Sequence, residues 1–196
     1  MVKGAVKSVA AALKRGPLPL LVFLISVGQA AQAAPLWNTP VYDPGSKSYF
    51  ELVPVTTKQY ATRDNPELNW RTAYQLAKQM EYNGVHGRLA VVSDLEVHEF
   101  LLRTFRPEHE TWIGLRYLCG AHLLQDVTGR TLPRGSFQAW DAQWNHSTGL
   151  GCNDRSNPAD YMTVYYAPTP LGMRWAAHTS AKAWSAYFVE FPTGKP

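Results

Sequence analysis

The sequence is poor in cysteine, with only Cys119 and Cys152. Two cysteines cannot build a disulfide scaffold, so burial of apolar side chains has to hold the fold. A bilayer-length apolar run is missing as well. The stretch "PLPLLVFLISVG" (17–28) has 12 residues, against roughly 20 for a spanning helix. No H-E-x-x-H pair occurs among His86, His98, His109, His122, His146 and His178, and there is no G-x-S-x-G elbow or P-loop. "EVHEF" (96–100) does not place Glu96, His98 and Glu99 well on one helical face, and "RPEHE" (106–110) reads as a solvated turn. His146 and His178 together would be two imidazoles without a third ligand, a poor zinc site. A non-enzymatic role is expected.

The sequence also lacks a basic excess where it would matter. It carries 19 Lys+Arg against 15 Asp+Glu. Four of the basic residues, Lys3, Lys7, Lys14 and Arg15, precede the apolar run, and no acid accompanies them. "QAAQAAP" follows, with small residues at Ala31 and Ala33. A basic start, a short apolar run and an A-x-A site form a secretory signal. Cleavage is expected after Ala33, because Pro35 would make a poor first residue. The alternative is an uncleaved anchor, for which the run is short. No cysteine follows the run to take a lipid.

Removing 33 of the 196 residues leaves 163, with 15 basic and 15 acidic residues. That neutral remainder has no Lys/Arg cluster, which sets a nucleic-acid partner aside. Residues 34–196 fit one domain with a real core. The expected location is periplasmic or secreted, with no membrane span once the signal is cleaved. Export also allows Cys119 and Cys152 to form a single disulfide. Two free thiols are the alternative.

Along the chain, "SYFELVPV" (48–55) predicts a strand. "DNPELNWRTAYQLAKQMEYNG" (64–84) predicts a helix. Asn69 suits the N-cap, Trp70, Ala73, Tyr74, Ala77 and Met80 share one face, and Asn83-Gly84 supplies the stop. "GRLAVV" (87–92) predicts a short strand. "SDLE" (93–96) reads as a capping box, with Ser93 as the cap and Glu96 bonding back. The helix behind it buries Val97, Phe100, Leu101 and Phe105 and stops at Pro107. Beyond residue 110 the pattern is of strands: 111–118, a hairpin over 123–133 turning near Thr128-Gly129, a stretch from 137, then 161–166, 173–177 and 186–191. Between them lies "DAQWNHSTGLGCNDRSNPAD" (141–160), rich in turn formers. So long a loop in a compact domain is often functional. Strand, two helices and then short strands indicate an α+β fold.

Trp70, Ala73 and Ala77 in W-x-x-A-x-x-x-A, "GRLAVVSDLEVHEFL" (87–101), "WIGL" (112–115), Phe137 and Trp140 in F-x-x-W, Trp175, and "FVEF" (188–191) follow one another in order. The series resembles the C-type lectin-like domain, and is most similar to its bacterial exported members. The resemblance covers residues 48 to 191. It implies a double-looped α+β fold with two helices, short antiparallel strands, paired N- and C-terminal strands and a long loop in the second half.

The resemblance also implies where calcium and sugar would sit. The family uses an acid/amide–Pro–acid/amide triplet in the long loop and an Asn-Asp pair directly after the tryptophan of the following strand. Calcium needs about six to eight oxygens. Here Ala176 and Ala177 follow Trp175 and offer none, so no cofactor is expected. In the loop, "NPA" (157–159) has Asn157 but ends in Ala159. "QWN" (143–145) and "CND" (152–154) are the other alignments, and neither contains proline. A displaced site could use Asn153, Asp154, Asn157 and Asp160. The alternative is that these side chains cap their own turns. The family's usual disulfide positions are occupied by Ala77, Val189 and Tyr161, so Cys119–Cys152 would instead pin the long loop to the segment after "WIGL".

Two functions remain open. One is an exported carbohydrate-binding module working without the usual calcium site, with Trp144, Asn145, Asn153, Asp154, Asn157, Asp160 and Trp184 as ligand-binding candidates. Trp144 and Trp184 would stack on sugar rings, or else fill the loop's own small core. The other is a protein-interaction or structural module on the same fold. The expected partner is therefore a glycan or a protein.

Overall fold

The computed structural model describes residues 35–55, 68–142, 152, 160–179 and 182–196. The expected export segment 1–33 and most of the long loop lie outside these residues. Among the described residues no helix is long and apolar enough to cross a membrane.

Strand β1 (Val41–Asp43) turns into β2 (Ser48–Pro54). The Asp43 carboxylate closes the turn by accepting from Ser46 N at 3.0 Å and Ser46 Oγ at 2.7 Å. β2 pairs antiparallel with β12 (Ala186–Phe191), in the register Glu51 to Val189. The N- and C-terminal strands thus lie side by side, as the resemblance implied. β12 also runs parallel to β7 (Thr111–Leu118), which pairs antiparallel with β8 (Leu123–Asp126) and β9 (Tyr161–Thr169). β10 (Gly172–His178) closes the order β1-β2-β12-β7-β9-β10.

The sheet is covered on both faces, which explains why every residue of β12 is buried. Phe188 packs with Phe50, Leu101, Phe105 and Ile113 on the face of the second helix, α2 (Leu95–Phe105). Tyr187, Val189 and Phe191 pack with Trp70, Ala73, Ala77 and Trp112 on the face of α1 (Trp70–Gln79). The period-2 alternation of a strand sends neighbouring side chains to opposite cores.

Helix α1 starts where expected. The Asn69 carboxamide oxygen accepts from Thr72 N at 3.0 Å. It ends earlier than expected, because Met80 is already extended, with ψ 145°. Asn83 and Gly84, at φ 51° and 74°, do not stop the helix. They turn the hairpin of β4 (Glu81–Tyr82) and β5 (Val85–His86). Two consecutive left-handed residues match the twist of such a hairpin, which Asn-Gly serves well. Upstream of the helix, Leu68–Asn69 forms β3 and pairs with β11 (Ala183–Trp184). Residues 64–67 of the expected helix lie outside the described set.

Helix α2 corrects the expected capping box. Asp94, not Ser93, caps it by accepting from Val97 N at 2.9 Å. Ser93 Oγ instead donates to Asp94 at 3.2 Å. A carboxylate is the stronger acceptor for a helix-end amide. The helix stops at Phe105, and Arg106 adopts the left-handed conformation just before Pro107.

The expected strand 87–92 is shorter in the structure. Only Arg88–Leu89 (β6) joins the ladder beside β12. Ala90 and Val91 are held singly instead: Ala90 N donates to Phe188 O at 3.0 Å, and Val91 N donates to the Glu190 carboxylate at 3.0 Å. Buried Glu190 also accepts from Ser48 Oγ and pairs with Arg88 at 2.7 Å.

Candidate functional site

The motif residues are structural, and their roles are specific. Trp70 Nε1 donates to Ile113 O at 2.8 Å, and Trp112 Nε1 donates to Leu68 O at 2.8 Å. Each indole thus ties α1 or its lead-in to β7. Gly114 of "WIGL" lets the backbone of 89–90 approach; an added Cβ would sit 2.3 Å from Leu89 O. Trp175 is fully buried and receives Phe137 and Trp140 edge-on at 5.5 and 5.7 Å. Its backbone N–H donates to Ala139 O at 2.6 Å, so residues 137–140 add to the outer edge of β10.

The long loop is anchored covalently. Cys119 and Cys152 are bonded, and Cys119 N donates to Asp160 O at 3.0 Å. Cys152 within the loop and Asp160 at its end are thus held at the end of β7, while at its start Asp141 N donates to Trp175 O of β10 at 2.7 Å. Asp160 lies near the two sulfurs. Disulfide sulfur is no thiolate, so this trio does not make a metal site. Trp144, Asn145, His146, Asn153, Asp154 and Asn157 lie outside the described residues.

Strand β10 carries Ala176 opposite Tyr165 and Ala177 opposite Val164. Ala177 is buried and Ala176 half-buried. Neither provides a side-chain oxygen, so this strand does not fit the calcium half-site that the resemblance implies. His178 is engaged locally, its Nδ1 accepting from Thr179 N at 2.8 Å. Trp184, half-buried, packs against Tyr165 at 4.8 Å and Trp112 at 5.9 Å, with the Lys182 ammonium 6.0 Å from its ring centre.

A groove of about 760 Å³ opens on another side, between α2 and residues 137–140. Helix α2 contributes Leu95, His98, Glu99, Leu102 and Arg103, the three-four spacing of one helical face. Phe137, Gln138 and Trp140 form the facing wall, and Arg174 of β10 completes it. Leu95 is 51 % exposed, one of few large apolar side chains so placed among the described residues. Trp140 Nε1 donates to Gln138 Oε1 at 2.7 Å, which positions the exposed amide at the rim. At the floor, His98 is buried and shares a 2.8 Å hydrogen bond with the Tyr166 hydroxyl. Burial, then the Arg174 charge, pull the imidazole below its ordinary value against the opposing pull of Glu99. Burial likewise pushes the Tyr166 phenol up. Both groups stay uncharged at neutral pH. The sequence reading missed this groove. Glu99 and Arg103 stand four apart on a helix, a visible signal, but nothing local ties them to Gln138 or Arg174.

The structure is similar to the cow C-type carbohydrate-recognition domain of CD23, solved in the presence of a GlcNAc2Man3 oligosaccharide. The TM-score is 0.53 at 14 % identity, over 81 % of this chain and 96 % of that one. It is similar also to the C-type lectin domain of murine dendritic cell inhibitory receptor 2 in complex with N-glycan. There the TM-score is 0.50 at 11 % identity, over 73 % of this chain and 89 % of that one. This chain has the C-type lectin-like fold. No family model and no curated protein sequence matches it. At such identities the C-type lectin-like likeness carries the backbone path and not the ligand.

Proposed function

We propose that this chain is an exported, non-enzymatic binding module that recognises a saccharide without the calcium site of the C-type lectin-like fold. The observation that carries the reading is Ala176–Ala177 on β10, where side-chain oxygens would be needed and none is present. A groove of about 760 Å³ supports a small polar ligand, since such pockets run from roughly 300 to 1,000 Å³. It sets aromatic rings beside an amide, a carboxylate and two guanidinium groups, the mixture that suits a ring with one apolar face and hydroxyls around it. The expected signal at residues 1–33 would deliver the module to the periplasm or beyond the cell.

The test is a glycan array with the purified oxidised protein, run with calcium and again with chelator. Equal binding in both conditions is the expected result. Binding lost with chelator would overturn calcium independence and point to oxygens of the long loop. No glycan binding in either condition would favour a protein-interaction module on the same fold.

A further inference from the structure

We propose that the groove between α2 and residues 137–140 is the ligand site, and that it takes a saccharide bearing a carboxylate. This deepens the saccharide reading above and rests on it.

The groove brings two cations together from distant parts of the chain, Arg103 of α2 and Arg174 of β10. Among the described residues, neither forms an ion pair; the pairs there are Arg88–Glu190 and Arg130–Asp126. Arg174 spends one donor on Met173 O at 3.1 Å, and the rest of its planar fork remains. A guanidinium fork matches a carboxylate with two parallel hydrogen bonds. Glu99 is the one acidic side chain in the lining, so the groove is left with net positive charge.

The remaining lining narrows the ligand class. Half-buried Trp140 offers a ring for the apolar face of a sugar. The Gln138 amide and the Glu99 carboxylate offer a donor and an acceptor for hydroxyls. A polyacidic peptide is disfavoured by Glu99, which would repel its repeated charges. A ring with one carboxylate and several hydroxyls uses every one of these groups. The volume also suits one or two rings better than a flat protein face. Hexuronates and sialic acids share the required chemistry.

Isothermal titration of the purified oxidised protein tests this. The probes are a hexuronate oligosaccharide and a sialylated oligosaccharide, each with its methyl ester, a neutral oligosaccharide of equal length, and an Asp/Glu-rich peptide. At least one acid is expected to bind, and the arm that binds names the source. Esterification should weaken it about tenfold or more, as should Arg103→Gln or Arg174→Gln. Arg103 is exposed on its helix, so that variant keeps the wild-type melting temperature. Equal binding of acid and ester overturns the proposal. An acid whose affinity neither arginine variant changes overturns the location. Binding of the neutral sugar with refusal of both acids overturns the charge class and leaves the saccharide module standing. Binding of the peptide alone, or of nothing, overturns both readings.

Discussion

Breaking the Cys119–Cys152 bond tests how the long loop is held. The two positions are 33 residues apart in sequence. Cross-linking a loop of that size removes chain entropy from the unfolded state worth about 3.7 kcal/mol at 25 °C. Cys119 is fully buried in the core of the α2 face, so alanine there would add a cavity term to the entropic one. The clean perturbation is therefore reduction of the native pair, compared with the Cys119→Ala/Cys152→Ala double variant. For a domain of this size, each kcal/mol moves the melting temperature by about 2 to 4 °C. Reduction should lower it by roughly 7 to 15 °C, and the double variant by somewhat more. Calorimetry with and without reductant reads both. A shift under about 2 °C on reduction would refute the reasoning, because it would mean that the loop is held as well by other contacts in both states.

Three further outcomes follow from buried groups. Glu51 is 7 % exposed on β2, and burial raises its carboxyl above the ordinary range. Charging it therefore costs stability at neutral pH, so Glu51→Gln should raise the melting temperature at pH 7 and change it little at pH values low enough to protonate Glu51; equal effects at both would refute this. His98 is held neutral below its ordinary value of 6.5 by burial, with Arg174 reinforcing and Glu99 opposing. The unfolded chain takes up that proton first as pH falls, so the His98 contribution is complete above pH 6.5 and is lost as pH falls towards the folded value. His98→Gln should flatten that part of the stability profile measured by denaturant titration. Gly114→Ala should destabilise by about 1–3 kcal/mol, because its Cβ would strike the Leu89 carbonyl 2.3 Å away; an unchanged denaturation midpoint would show that the backbone there yields freely.

Much of the fold was legible before any coordinates. The apolar face of α1, its Asn69 cap, the buried residues of α2 and strand β7 all follow from local spacing and local hydrogen bonding. Where the reading went astray, two local signals competed. Asn83-Gly84 serves a helix stop and a hairpin turn equally well, and only the pairing of Glu81 with His86 decided between them. Ser93 and Asp94 both suit a cap, and the stronger acceptor took it.

The candidate site divides along the same line. That Ala176 and Ala177 bring no side-chain oxygen was readable from "RWAAH" (174–178), since an alanine side chain has no oxygen in any fold, and what that means for calcium followed from the resemblance. That Cys119 could meet Cys152 was open until the end of β7 and the loop were seen together. The groove was not readable at all. Arg103 and Arg174 are 71 positions apart in sequence, and their convergence depends on how α2 packs on the sheet and on the bond from Trp175 to Ala139 that lays residues 137–140 against β10. Local sequence determines periodicity, caps and missing chemistry, because those depend on neighbours within a few residues. Which distant charges share one cavity depends on packing across the whole sheet, and only the tertiary structure decided it.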